Sequence, residues 1–131
     1  MSGRAVSPSG VPAVGPYSPA MQAGDFLFIS GQIPWDPDGK GLLRGPIEAQ
    51  TQRCLEQIQE ILRAAGGSLR DLVKVTIYLT DMRDLEAVNR AYAAYFDRAP
   101  PARSCLGVAA LPKGSPIEIE AIAYLGGQAP R

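Results

Sequence analysis

Residues 116–125 read PIEIEAIAYL, and the alternation within this segment decides the fold of the chain. From Ile117 to Leu125 every second residue is apolar, whereas Glu118 and Glu120 fall on the other side. Successive side chains of a strand point to opposite faces, so the pattern predicts a strand with one face in a core. The two carboxylates are either solvated, the commoner case for a single strand, or part of a site.

Other segments show strand composition or alternation. The additional predicted strands are residues 3–7, Asp25–Ser30, a short piece near Leu42–Arg44, Leu72–Leu79 and roughly Ala102–Ala109. The Leu72–Leu79 strand is predicted to place Val73, Val75, Ile77 and Leu79 on one face. Proline and glycine are frequent between residues 7 and 20, which favours an ordered loop there.

Two segments have helical periodicity instead. The first predicted helix covers Ile47–Ala65, with Gly66 and Gly67 ending it. Its apolar face comprises Thr51, Cys54, Leu55, Ile58, Ile61, Leu62 and Ala65. The second predicted helix covers Asp84–Phe96, where apolar residues repeat at intervals of three and four.

This order of elements predicts an α+β fold with both helices packed on one face of a sheet. The other sheet face is then uncovered, and its expected residents are too apolar for exposure to water: Leu72, Thr76, Tyr78, Ile122 and Tyr124. We therefore expect further copies of the chain to cover this face.

Composition limits the possible functions. A chain of 131 residues is expected to form a single domain, 1–131, and its 13 basic and 13 acidic residues cancel. The sequence has no run or stripe of basic residues, so nucleic-acid binding is not expected. No apolar run is long enough for a membrane span. The first residues lack the pattern of a signal peptide, so we expect a cytoplasmic protein with its two cysteines as free thiols.

The chain contains no histidine. Catalytic triads, Cys-His pairs and nearly all zinc sites are thereby excluded, and no metal site is expected. No glycine-rich phosphate loop is present either, so any chemistry rests on Arg, Glu, Asp, Tyr, Lys, Cys, the backbone and water.

Seven residues are candidates for a site, each with a plainer alternative. Arg103 either forms a surface salt bridge or binds the carboxylate of a ligand. The second alternative is plausible chemically because guanidinium has paired N–H donors that match the two carboxylate oxygens. Glu118 is either solvated or partly desolvated by contact with another subunit. A partly desolvated carboxylate can hold or activate a water.

The remaining five candidates are less specific. A tyrosine such as Tyr17 is more often a core residue than a site residue. Ser30–Gly31 is more often a simple turn than a pair that presents its hydroxyl and backbone to a ligand. Asn89 either faces solvent or anchors a neighbouring loop, and Cys105 is expected to be a small buried residue rather than a nucleophile.

Five segments together resemble one known family. GPYSPA, FISGQIPWDPDG, VNRAYAAYF, PPARSCLGVAALPKG and IEIEAIAY occur in the order and spacing of the reactive intermediate deaminase (Rid) family, also called YjgF. The resemblance covers residues 5–124 and leaves 125–131 as a tail. It implies a chorismate-mutase-like mixed sheet backed by two helices, assembled as a homotrimer with ligand sites between subunits.

The resemblance also implies an activity. Deaminase members hydrolyse 2-enamine and 2-imino acids, such as 2-aminoacrylate, 2-iminopropanoate and 2-iminobutanoate, to 2-keto acids and ammonia without a cofactor. These intermediates are released by pyridoxal-phosphate enzymes. Arg103 resembles the arginine that binds the substrate carboxylate, and Glu118 resembles the acid that positions the attacking water. The other pocket positions of the family correspond to Tyr17, Ser30, Gly31, Asn89 and the backbone at Cys105.

Three positions depart from the commonest family pattern. Gly107, Pro100 and Trp35 differ in size from the usual residues, which is expected to alter the pocket but not the catalytic set. The alternative function is a non-catalytic regulatory trimer that binds small carboxylates and could dispense with Glu118. A ribonuclease activity is disfavoured by the neutral charge and the lack of a basic groove.

Overall fold

The computed structural model describes residues 3–127, so residues 128–131 of the expected tail lie outside the described part. The described part contains six strands: β1 (Arg4–Val6), β2 (Ala20–Ala23), β3 (Phe26–Gln32), β4 (Leu72–Leu79), β5 (Ala102–Gly107) and β6 (Ile117–Tyr124). The two α-helices are α1 (Ile47–Ala64) and α2 (Leu85–Ala93). The expected α+β class is confirmed.

The strands form one mixed sheet in the order β1-β2-β3-β6-β4-β5. Only β4 and β5 run parallel, and every other neighbouring pair is antiparallel. The strand β6 lies between β3 and β4, and its alternate residues Ile117, Ile119 and Ala123 are fully buried. The predicted alternation of this segment is confirmed.

Both helices contribute to the core on one face of the sheet. The predicted apolar face of α1 is buried from Thr51 to Leu62, and only Ala65 at its end is partly exposed. Gly66 follows the helix with φ +85°, a left-handed conformation that glycine adopts without a steric penalty. Within residues 3–127, no helix combines the length and apolarity that a membrane span requires.

The predicted face of β4 is wrong at its first two residues. Leu72 is buried, whereas Val73 is 44% exposed. The pairing of β4 with β6 shifts register between Leu72 and Lys74, and such a bulge inserts one extra residue and reverses the alternation. From Val75 onward the predicted inward face is confirmed.

Local boundaries also differ from the sequence predictions. Strand β2 begins at the last residue of the predicted loop and continues to Ala23, where no element was predicted. AMQA has no β-branched or aromatic residue and forms a strand by pairing with both β1 and β3. The segment Leu42–Arg44 contributes only an isolated bridge from Leu42 to Trp35. Helix α2 ends at Ala93, and the following residues continue in tight turns that still pack Tyr95 and Phe96 on the core.

The sheet face opposite the helices, which we call the open face, carries apolar side chains without a covering layer. It includes Met21, Phe26, Phe28, Tyr78, Ile122 and Tyr124. Phe28 is 47% exposed, and the rings of Phe26 and Tyr124 lie 5.1 Å apart. Contiguous exposed aromatic surface of this kind is typical of a surface that associates with another molecule.

We predict that copies of this chain associate through the open face. Phe28→Glu places a charge on that face and should dissociate the assembly, because burying an unpaired carboxylate is strongly unfavourable. Light scattering should give a multiple of 13.9 kDa for the unaltered protein and a smaller mass for the variant. Glu86→Gln, on the exposed side of α2, serves as the control. A stable monomer of the unaltered protein at micromolar concentration contradicts this prediction.

Candidate functional site

Arg103 lies on the edge strand β5 and points to the helix side of the sheet. It is paired in register with Val75, which is fully buried under the helices, and register partners on neighbouring strands share a face. Its guanidinium carbon stands 4.9 Å from the centre of the Tyr92 ring on α2. Among residues 3–127 the Arg103 side chain has no ion pair and no hydrogen bond. The alternative of a surface salt bridge is therefore wrong for the single chain.

A cavity of about 340 Å³ opens beside this guanidinium. Its lining consists of Asn89, Tyr92, Ala93, Phe96, Pro100, Pro101 and Arg103. The wall is largely aromatic and aliphatic, with Asn89 as an additional polar group. One free cation in an apolar wall suits a small ligand that carries a carboxylate.

Cys105 lies two residues farther along β5, on the same side of the sheet as Arg103. It is paired with the buried Ile77 and is itself partly buried. Burial raises the pKa of the Cys105 thiol, and the positive charge of Arg103 offsets part of that rise. A thiol with a raised pKa is a poor nucleophile at neutral pH, which agrees with a structural or backbone role.

Glu118 projects from the opposite, open face of the sheet. It is paired with Tyr78 on β4, and its neighbours along β6, Ile117 and Ile119, both point into the core. Burial, and after it the negative charge of Glu120, raise the pKa of the Glu118 carboxyl. Partial burial and the neighbouring carboxylate thus make Glu118 more basic than an ordinary glutamate, which is the direction of change that favours a general base.

Gly31 leaves the space that the Glu118 carboxylate occupies. A Cβ atom added at Gly31 would collide with the carboxylate oxygen Oε2 of Glu118, so any side chain there would displace the acid. The pairing of β3 with β6 is irregular between Ile29 and Gln32, which places Gly31 against this residue. The interpretation of Ser30–Gly31 as a simple turn is therefore incomplete.

Tyr17 and Ser30 are joined through the loop before β2. The Ser30 hydroxyl donates to the Ser18 carbonyl oxygen at 2.7 Å, and the Ser30 amide donates to the carbonyl of Pro19. Tyr17 is 46% exposed, and its hydroxyl accepts a hydrogen bond from the Val14 amide at 3.4 Å. The core-packing interpretation of Tyr17 is wrong, and its ring is available at the surface.

The predicted residues thus form two groups. The arginine half-site comprises Asn89, Arg103 and Cys105 on the helix side of the sheet. The glutamate half-site comprises Ser30, Gly31 and Glu118, with Tyr17 in the adjoining loop. Because Arg103 and Glu118 project from opposite faces, one chain does not bring them together. A site that uses both needs residues from two copies.

Tyr92 and Phe96 lie on the second predicted helix and were not among the seven candidate residues. Their rings stack with centroids 4.5 Å apart and form one wall of the cavity beside Arg103. Their spacing of four residues was a signal for a shared helical face, but it could not show which neighbour that face meets. Within the described chain, no three His, Cys, Asp or Glu side chains cluster as metal ligands would.

The fold and the arginine half-site define a class: a small α+β domain with an apolar cavity that contains an arginine at the edge of its sheet. Residues 8–125 match the family described as "Endoribonuclease L-PSP". The chain belongs to this family, which is the Rid, or YjgF, family that its motifs resemble.

Individual relatives agree with this assignment. A "RutC family protein" from Pyrococcus horikoshii is 54% identical over 85% of this chain and 88% of its own length. The human "2-iminobutanoate/2-iminopropanoate deaminase" is 44% identical over 94% of this chain and 90% of its own. The structure of RidA from an Antarctic Psychrobacter species superposes with a TM-score of 0.88 at 42% identity, covering 92% of this chain and 98% of that one.

The raised pKa of Glu118 predicts a pH-dependent effect on stability. The folded chain holds this proton more tightly than the unfolded chain, so ionisation disfavours folding as pH rises through the raised pKa. Glu118→Gln removes that penalty. The variant should therefore unfold at higher temperature than the unaltered protein at pH 7, and the difference should vanish below about pH 4. Thermal melts across this range test the prediction, and a difference that is constant with pH contradicts it.

Proposed function

We propose that this protein hydrolyses 2-enamine and 2-imino acids to 2-keto acids and ammonia. The preferred substrates on this proposal are small acids such as 2-aminoacrylate, 2-iminopropanoate and 2-iminobutanoate. The observation that carries the proposal is the unpaired Arg103 guanidinium facing an apolar cavity. An arginine without a carboxylate partner has its paired N–H donors free for the carboxylate of a ligand.

The proposal includes a homotrimer with its sites between subunits. The opposite placement of Arg103 and Glu118 supports it, because a cleft between two copies can take the arginine half-site from one and the glutamate half-site from the other. The apolar open face supports it as well, since that face borders Glu118 and is suited to burial. Burial of that face would desolvate the Glu118 carboxylate further and raise its pKa further.

The reaction on this proposal needs only positioning and one base. Arg103 binds the substrate carboxylate through two N–H donors and orients the planar iminium group. Glu118 of the neighbouring copy accepts a proton from a water whose oxygen attacks C2 of the iminium. The resulting carbinolamine carries the hydroxyl on C2. Glu118 returns the proton to the nitrogen and the C–N bond breaks. The carbinolamine oxygen forms the C=O of the keto acid and releases its proton to Glu118, from which the proton leaves with the ammonia as ammonium.

The names of relatives are consistent with the proposal at two levels. The mouse protein, 45% identical over 87% of this chain, is named for deamination of 2-iminobutanoate and 2-iminopropanoate, as is the human one. Two relatives of higher identity, at 54% and 49%, carry only the name of the RutC family. Substrate preference within the imino acids is therefore the finer part of the proposal.

A second candidate function is a regulatory trimer that binds small carboxylates without turnover. One observation favours it: the arginine half-site and its cavity are complete within a single chain, whereas Glu118 lies on the other face. Such a module needs Arg103 and can dispense with Glu118. Turnover that depends on Glu118 separates the two functions.

Arg103→Ala should strongly weaken both imine hydrolysis and the binding of 2-oxobutanoate. A charge-assisted hydrogen-bonded pair contributes roughly 1.5–3 kcal/mol, which corresponds to about a 10- to 150-fold loss of affinity. Arg103→Lys should recover only part of it, because a point charge does not reproduce the guanidinium fork. Calorimetric titration with 2-oxobutanoate measures the binding. Equal affinity in Arg103→Ala and the unaltered protein contradicts the proposed role.

Glu118→Gln should lower kcat while 2-oxobutanoate still binds, because Glu118 acts on the water and not on the carboxylate. Imine decay is followed after release by a threonine dehydratase. Glu120→Gln is the matched control two residues away. It should retain turnover, with the acidic limb of its pH profile moved to lower pH, because the Glu120 charge is one cause of the raised Glu118 pKa. An inactive Glu120→Gln beside an active Glu118→Gln would reverse the assignment.

Cys105→Ala should retain most of the turnover of the unaltered protein. The burial that raises the pKa of this thiol leaves little thiolate at neutral pH, and the proposal uses only the backbone at this position. Single-turnover imine hydrolysis, with circular dichroism to verify the fold, measures the effect. Complete loss of turnover in a folded variant would instead identify a nucleophilic cysteine.

A further inference from the structure

The Arg103 guanidinium has one specific contact within the described chain, the face of the Tyr92 ring. Its carbon stands 4.9 Å from the ring centre, well within the range of a cation–π interaction. We propose that Tyr92 is a positioning residue, whose ring holds the Arg103 guanidinium in place while leaving its N–H donors free for a substrate carboxylate. The inference rests on the proposed function and assigns it a further residue.

The kind of contact matters as much as its distance. A carboxylate partner would occupy the N–H donors of the arginine and cancel its charge, so a substrate would have to displace it. An aromatic face attracts the cation through the π system and leaves the in-plane N–H donors unoccupied. A ring is therefore the support that restrains a carboxylate-binding arginine without competing for its ligand.

The Tyr92 ring is itself fixed in place. Tyr92 is only 6% exposed, and it lies on the buried side of α2 with Val88 and Ala91. The Phe96 ring packs against it at a centroid distance of 4.5 Å and an interplanar angle of 32°. Because the ring cannot turn away, the position of the guanidinium is restricted as well. Asn89, one turn earlier on the same helix, lines the same cavity.

The hydroxyl of Tyr92 does not explain why a tyrosine stands here. The hydroxyl oxygen is buried and has no hydrogen-bond partner within residues 3–127. Leaving a buried hydroxyl without a partner destabilises a fold, whereas the ring contributes packing and the contact with Arg103. The two parts of the side chain can be separated experimentally, since Tyr92→Phe removes the hydroxyl and keeps the ring.

The central comparison is between Tyr92→Phe and Tyr92→Leu. Tyr92→Leu should weaken 2-oxobutanoate binding about 5- to 30-fold and raise KM by a similar factor, with a smaller effect on kcat. Restraining the carboxylate-binding group affects ground state and transition state alike, which is why KM changes more. Tyr92→Phe should keep both constants within about twofold of the unaltered protein, and its melting temperature should be equal or higher.

Two further variants test whether a loss of binding in Tyr92→Leu comes only from a general loss of packing. Tyr95→Leu removes a partly buried aromatic residue three positions away, outside the cavity. It should lower the melting temperature but leave keto-acid affinity unchanged. A trifluorinated phenylalanine introduced at position 92 keeps the shape of the ring while depleting the negative charge on its face. It should fold like Tyr92→Phe and bind 2-oxobutanoate several-fold more weakly.

The results distinguish a failure of the proposed function from a failure of the positioning role of Tyr92. If Arg103→Ala binds 2-oxobutanoate as the unaltered protein does, the proposed function fails. If Arg103→Ala loses binding while Tyr92→Leu retains it, the proposed function stands and the positioning role of Tyr92 is wrong. Equal losses in Tyr92→Leu and Tyr95→Leu also overturn it, as does equal affinity of the fluorinated and unfluorinated rings. The fluorinated protein keeps the test decisive even where Tyr92→Leu does not fold.

Discussion

The position of β6 in the middle of the sheet is the constraint on which the rest of the structure depends. It is hydrogen-bonded to β3 on one side and to β4 on the other. Its inward residues, such as Ile117 and Ile119, are fully buried under the helices. Glu118 and Glu120 are therefore forced onto the opposite face, and a slip of one residue would bury both carboxylates. The same alternation builds the core and places the acid of the proposed site.

The two-sided sheet also explains why the proposed chemistry is tied to assembly. Arg103 shares the helix side with the core, and Glu118 shares the open face with exposed aromatic residues. A single chain thus exposes an arginine-lined cavity on one side and a carboxyl group with a raised pKa on the other. Contact between copies would cover apolar surface and bring the two groups to one ligand, so that association and catalysis would have a common physical cause.

Within the described chain, neither the Arg103 guanidinium nor the Glu118 carboxylate has an oppositely charged side chain as a partner. Arg103 has an aromatic face in place of a carboxylate, and Glu118 has burial and a neighbouring negative charge in place of a cation. On the proposed mechanism, a bound substrate carboxylate would pair with the Arg103 charge, and a proton taken from water would neutralise Glu118. Such pre-set electrostatics are how a small site without a cofactor can accelerate a hydrolysis.

The sequence by itself determined α1, the inward face of β6, the α+β class and the family, because long periodic segments and specific motifs carry that information locally. It could not determine β2, which becomes a strand only between two partners, although the Gly24–Asp25 dipeptide before β3 was a hairpin signal. Tertiary structure alone decided the bulge after Leu72 and the contact of Arg103 with Tyr92. Both depend on how separate elements pair and pack, and no local pattern encodes the partner that a side chain meets across the fold.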